Sequence, residues 1–217
     1  STGAVATANV AGSPYAIVPS AASGGTFTPA NYTITYVNGA LTVNPAALSV
    51  TANSAAKTYG QTATFLGTAF TSIGLQNGET IGGITLTSTG AVATANVTVS
   101  PYAIVPSAAT GGTFAPGNYT ITYVNGALTV NRAALTITAA TNTKIYDGAT
   151  SATATPTVTG LQNTDTVTGL AEVYADKTAG INKTLTVSAF TVNDGNAGGN
   201  YTVTPVTNIT GVITARS

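Results

Sequence analysis

Short runs of this chain place a large aliphatic or aromatic residue at every second position, with threonine, serine or alanine between. They are Leu48-Ser49-Val50-Thr51, Ile84-Thr85-Leu86-Thr87, Tyr102-Ala103-Ile104-Val105, Tyr119-Thr120-Ile121-Thr122, Leu135-Thr136-Ile137-Thr138, Leu185-Thr186-Val187 and Tyr201-Thr202-Val203. A period of two sends successive side chains to opposite faces of a strand, so each run predicts a half-buried β-strand. Threonine and valine at this density fit a pleated surface better than a helix. No window sustains helical periodicity. A turn or two of helix is expected only near Leu75–Ile81, where Asn77 can cap and Glu79 lies near the positive end. Asn125-Gly126, between two alternating runs, predicts a type I′ hairpin. That register pairs Val124 with Ala127, Tyr123 with Leu128 and Ile121 with Val130. It turns Ile121, Tyr123, Leu128 and Val130 to the core, and Thr122 and Thr129 away. Asn38-Gly39 predicts the same hairpin.

The pattern repeats. Residues 1–48 align with 88–135 at an offset of 87, with six differences: Ala11/Thr98, Gly12/Val99, Ser23/Thr110, Thr28/Ala115, Ala30/Gly117 and Pro45/Arg132. A diverged copy follows. Lys57-Thr58-Tyr59-Gly60 recurs as Lys144-Ile145-Tyr146-Asp147-Gly148, Gly74-Leu75-Gln76-Asn77 as Gly160-Leu161-Gln162-Asn163, and Asn118-Tyr119-Thr120 as Asn200-Tyr201-Thr202. The expected organisation is the C-terminal half of one repeat (1–45), a complete repeat (46–132) and a diverged repeat (133–217). Junctions without Gly/Ser linkers predict closely coupled neighbours. Each repeat is expected to hold five to seven strands. Residues 1–45 lack the counterpart of 46–87 and so carry half a core. Completion by a strand from outside is expected there, with docking onto the middle repeat as the alternative.

Composition narrows the function classes. Six Lys+Arg balance six Asp+Glu, and His, Cys, Met and Trp are absent. This excludes His- and Cys-based metal sites and nucleophiles. Zero net charge argues against nucleic acid as a partner, and no apolar run is long enough to span a membrane. With neither a Met start nor a signal peptide, the sequence is expected to be a segment of a longer protein. Residues 1–131 contain only Lys57 and Glu79; the other ten charges lie in 132–217.

Lys57-Thr58-Tyr59-Gly60, Gly74-Leu75, Asn118-Tyr119-Thr120-Ile121 and Gly126-Ala127-Leu128-Thr129-Val130 resemble the MBG ("mostly beta, glycine-rich") repeat. Lys144-Ile145-Tyr146-Asp147-Gly148 and the module after it resemble the companion YDG repeat. The resemblance implies arrays within large secreted bacterial surface adhesins and filamentous-haemagglutinin-like exoproteins, at the extracellular cell surface, with no catalytic residues to carry over. The fold expected is mostly β: tandem modules, β-grasp-like or immunoglobulin-like sandwiches, arranged as an elongated rod. The function expected is a structural stalk without catalysis or cofactor. The alternatives are a glycan- or protein-binding module centred on 133–217, and a fibre subunit joined by strand complementation. The expected partners are neighbouring repeats or copies of the chain, with host or matrix glycan or protein reached through other parts of the parent.

Candidate sites are few. A calcium site would use Asp147 and Asp194 with nearby Asn or carbonyl oxygens; turn and surface roles compete with it. Asn31, Asn96, Asn118, Asn182, Asn200 and Asn208 stand in Asn-x-Ser/Thr and are candidate glycan acceptors. Tyr32, Tyr36, Tyr119, Tyr123 and Tyr201 read as core or cross-strand residues rather than a sugar platform. Lys57 and Lys144 read as surface lysines, with a Lys–Asn isopeptide link as the functional counterpart.

Overall fold

A computed structural model describes all 217 residues as sixteen β-strands and six short 3₁₀ turns, with no α-helix. The first half-repeat contributes β1 (Tyr15–Ile17) and β2 (Gly39–Leu41). The middle repeat contributes β3 (Ala46–Ala52), β4 (Ala55–Thr58), β5 (Phe70–Ile73), β6 (Ile81–Thr87), β7 (Tyr102–Gly112), β8 (Tyr119–Val124) and β9 (Gly126–Asn131). The third contributes β10 (Ala133–Thr138), β11 (Thr143–Ile145), β12 (Thr157–Thr159), β13 (Thr166–Tyr174), β14 (Gly180–Asn193), β15 (Tyr201–Val206) and β16 (Asn208–Thr214). Each of the seven alternating runs lies in a strand, whereas the 32–37 arm of the hairpin expected around Asn38-Gly39 does not. No α-helix is available to cross a sheet as a β-grasp requires, and no helix is long and apolar enough to cross a membrane.

The chain forms two compact units. One gathers Ser1–Asn53, Phe65–Thr87 and Val105–Gly126; the other gathers Ser54–Thr64, Ser88–Ile104 and Ala127–Ser217. The middle repeat thus contributes to both.

In the first unit, β3 is the centre of a three-stranded sheet. It runs antiparallel to β5 and parallel to β8, with Val50 opposite Ser72 on one side and Tyr123 on the other. Leu48 and Val50 point from β3 into a cluster with Ile84, Ala109, Phe114 and Tyr119. β6 pairs antiparallel with β7.

The second unit holds the whole third repeat as two sheets, ordered β12-β10-β15 and β11-β16-β14-β13. Leu135, Val158 and Tyr201 of the first sheet share one apolar cluster with Val167 and Val192 of the second, an arrangement consistent with a β-sandwich. The ladders reproduce those of the middle repeat. β10 is parallel to β15 as β3 is to β8, and β11 is parallel to β16 as β4 is to β9.

Three expectations are corrected. First, Asn125-Gly126 is not a hairpin. β8 and β9 do not pair with each other; each takes a parallel partner, β3 and β4, and Gly126 has no left-handed φ. A six-residue parallel ladder outcompetes the hairpin the dipeptide favours locally. The expected faces survive, because they follow from alternation alone: Leu128 and Val130 are buried, Ile121 and Tyr123 half-buried, and Thr122 and Thr129 exposed. Second, Leu75–Ile81 forms no helical turn. Asn77 and Gly78 take left-handed φ of 53° and 72°, closing a turn in which Glu79 N–H reaches Gln76 C=O at 2.9 Å. Third, the first half-repeat is only partly built. β1 and β2 pair, but residues 32–37 form no strand, although their sequence equals that of β8. Tyr32 and Tyr36 are 65% and 43% exposed, against 8% for Tyr119, so the expectation that both belong to a core is overturned. This copy has no counterpart of β3 in the chain for residues 32–37 to lie against.

Candidate functional site

In the first unit, the 3₁₀ turn Pro116–Asn118 delivers Asn118 to the start of β8. Its Oδ1 accepts the Val10 N–H at 3.0 Å, and its Nδ2 donates to Asn9 Oδ1 at 2.8 Å. In the second unit, Asn200 stands immediately before β15. Its Oδ1 accepts the Val97 N–H at 2.9 Å, and its Nδ2 donates to Asn96 Oδ1 at 3.0 Å. Asn9 and Asn96, like Val10 and Val97, are the same positions of the repeat. Each of the two joints between successive repeats is therefore made by the same pair of hydrogen bonds. Asparagine suits this role because one short planar side chain offers both an acceptor and a donor.

The loop that receives each asparagine is held by its own residues. Ser88 Oγ accepts the Gly90 N–H at 3.2 Å, and Tyr102 donates its hydroxyl to Asn96 C=O at 2.9 Å. Ser1, Gly3, Tyr15 and Asn9 do the same in the first copy, with the Tyr15 bond at 2.7 Å. The tyrosine ring lies directly over the glycine: a Cβ on Gly90 would stand 2.5 Å from Tyr102 Cγ.

Behind each asparagine stands a tyrosine. Tyr119 donates its hydroxyl to Glu79 Oε2 at 2.6 Å and accepts the Gln76 N–H at 2.9 Å. Tyr201 donates to Asp165 Oδ2 at 2.6 Å and accepts the Gln162 N–H at 2.8 Å. Burial, reinforced by the carboxylate acceptor, pushes both phenols above the ordinary tyrosine range. The turn carrying the glutamine begins at Gly74 or Gly160, with φ of 111° and 98°. A Cβ there would meet the carbonyl oxygen of Ala47 or Ala134 within 2.3 Å, so only glycine fits.

The joint in the second unit has further contacts. Tyr59 packs edge-on against Tyr201 with centroids 5.5 Å apart. Tyr59, Ala95 and Val130 of the middle repeat share one buried cluster with Ala133, Leu135, Val192 and Tyr201 of the third. Thr98 Oγ1 donates to Asn196 Oδ1 at 2.8 Å. Thr98 replaces Ala11 of the first copy, so this difference between the copies adds a contact to the third repeat. Asn200 is itself fully buried.

The residues singled out from the sequence fall as follows. Asp194 organises the loop before Asn200: Oδ1 accepts the N–H groups of Asn196 and Gly198 at 2.8 Å, and Oδ2 that of Asn200 at 3.0 Å. Burial alone would raise its carboxyl, but the three backbone donors outweigh it and hold the group below the usual carboxylate range. Asp147 bonds Lys144 Nζ at 2.8 Å and the Ala149 N–H at 2.9 Å. Both carboxylates thus face hydrogen-bond donors. Asn31 and Asn182 are exposed, and Asn208 is half-buried beside Ala139 C=O. Asn96, Asn118 and Asn200 are joint residues, and the buried Asn200 Nδ2 is already a donor, which leaves a glycan no room. Lys57 is not a surface lysine. It is 6% exposed, with its ammonium between the carbonyls of Gln61 and Val92, and burial lowers its pKa.

Asn9 and the backbone of Val10 and Val97 carried no chemical motif and were not singled out. The visible trace was the Asn-Tyr-Thr triplet in all three copies, with Gln-Asn-x-Glu or Gln-Asn-x-Asp upstream in the two that have a front half.

Matching strand ladders and matching asparagine hydrogen bonds in the two units make this a mostly β chain with an internal repeat. A family model for the MBG domain (YGX type) matches residues 48–129, and one for the YDG domain matches residues 131–208. The chain therefore carries an MBG domain followed by a YDG domain. A search of the curated proteins and a search of the solved structures each found no match.

Proposed function

We propose that this chain is a spacer segment of the stalk of a secreted bacterial surface adhesin, in which each β module adds length and each asparagine latch fixes the direction of the next module. The observation that carries this reading is the identity of the two latches, made by the same positions at 2.8–3.0 Å. Near-identical copies add reach rather than new chemistry, and nearest-neighbour contacts stiffen an array. The reading as a binding module centred on 133–217 has less support, because its charges are largely consumed within the module. Lys144 pairs with Asp147, Lys183 with Asp176, Asp165 with Tyr201, Glu172 with the Ala140 N–H, and Asp194 with the N–H groups of Asn196 and Gly198.

The absence of cysteine allows paired labels at Ser1→Cys and Ser217→Cys for distance-distribution measurements. The spacer reading expects one narrow distribution in the parent chain and a broad one in N118A and N200A. A distribution in the parent as broad as in the variants would overturn it.

A further inference from the structure

The two joints also differ in what lies beside the latch loop. In the second unit, the segment Lys57–Ala63 lies beside the latch loop. Gly60 donates its N–H to Ala93 C=O at 3.1 Å, and Ala63 donates to Ala91 C=O at 2.8 Å. This brings Tyr59 edge-on to Tyr201, with Asn163 and Asp165 at its hydroxyl. Gly60, at φ 88°, lies so close to Gln162 that a Cβ would stand 2.3 Å from its Oε1. The Tyr-Gly pair therefore sits in a seat made by Gln162, Asn163, Asp165 and Tyr201.

The first unit has the same seat, made by Gln76, Asn77, Glu79 and Tyr119, and there it is a cleft of about 280 Å³ bordered by Asn9 and Asn118. The half-repeat in front of it has no Lys-Thr-Tyr-Gly segment. The Ala6 carbonyl, equivalent to the Ala93 carbonyl that Gly60 occupies, is taken instead by Asn77 Nδ2 at 3.2 Å.

Resting on the reading of these modules as an end-to-end array, we infer that this cleft is a docking site for the Tyr-Gly loop of a preceding complete MBG module. The tyrosine ring enters edge-on against Tyr119, its hydroxyl turns to Asn77 and Glu79, and the glycine N–H displaces Asn77 from Ala6 C=O. The glycine is required because the loop takes a left-handed φ hard against the glutamine side chain. The seat is thus specific for a Tyr-Gly pair, which the YDG module lacks: it carries Tyr146-Asp147-Gly148 at that place. An MBG module, and not a YDG module, is the predecessor that fits.

The test lengthens the full chain at its N-terminus by a second copy of residues 46–87, with backbone amides followed by NMR. Docking expects the amides of Gln76, Asn77, Glu79 and Tyr119 to shift, and to return to their original positions when the added tyrosine is changed to Ala. In a second comparison, replacing the added Tyr-Gly by Tyr-Asp-Gly is expected to abolish the shifts. Unmoved cleft amides in a lengthened chain whose added strands are folded would overturn the docking site. Labels at the two ends of the same chain report separately on the spacer reading: a narrow distance distribution with unmoved cleft amides rejects the docking site alone, and a broad one with shifted amides rejects the spacer alone.

Discussion

At the scale of single residues, the two copies provide an internal control. Gly39 and Gly126 are the same position in near-identical sequence. A Cβ on Gly126 would come within 2.7 Å of Ala52 C=O and 2.8 Å of Asn53 C=O, both backbone atoms that cannot swing away. On Gly39 the nearest atom, Ile17 Cβ, is 3.4 Å off. Gly126→Val is therefore expected to destabilise by about 1–3 kcal/mol, the usual cost of overpacking, and Gly39→Val by less than about 0.5 kcal/mol. Urea unfolding of the two variants checks this; equal losses would restore the hairpin that local sequence predicts at both sites. The asparagine latches show the same dependence on surroundings. Asn31 shares its triplet with Asn118 and Asn200, yet stands exposed.

At the scale of elements, residues 32–37 and 119–124 are identical hexapeptides with different structure. The second is β8, parallel to β3; the first is not a strand. Strand propensity mostly measures packing and pairing rather than an intrinsic backbone preference, so removing the partner removes the strand. Hydrogen exchange reads the difference directly. The amides of Thr120 and Thr122, which face β3, are expected to exchange about a hundredfold more slowly than those of Thr33 and Thr35 in the same sample. Equal protection would mean that the first copy finds a strand partner in solution, which favours completion by another chain.

At the scale of the whole molecule, little titrates near neutrality, since the chain contains no histidine or cysteine. On the acid side, Asp194 and Asp176 have folded-state pKa values below their unfolded ones, Asp176 at about 2 through Lys183 and Thr178. Their contribution is complete above about pH 4 and is lost as pH falls through the folded values. On the alkaline side, Tyr59, Tyr119 and Tyr201 are raised, so their contribution is complete below about pH 10 and is lost above it. Lys57 acts in the opposite sense. Its lowered pKa means that the unfolded chain binds the proton more tightly, so its penalty is relieved as pH rises toward about 10.4. Urea midpoints are expected to be flat from about pH 5 to 8 and to rise slightly before the tyrosines titrate. In Lys57→Met the slight rise should vanish. A steep slope between pH 5 and 8 would contradict the assignment.

The sequence by itself determined the seven alternating runs that lie in strands, the faces they bury, the 87-residue repeat and the resemblance of both modules, because alternation and repetition are local properties. It also held the buried Tyr119 and Tyr201, which alternation turns inward. Only the tertiary structure decided which strands pair. Asn125-Gly126 has the chemistry of a hairpin, but the parallel ladders to β3 and β4 satisfy more backbone groups than the turn would. Likewise, the same hexapeptide is a strand at 119–124 and not at 32–37. The latch lay beyond the sequence for the same reason: half of it is the N–H of Val10 or Val97, a group every residue but proline carries, made specific only by the loop that presents it to an asparagine about a hundred residues away.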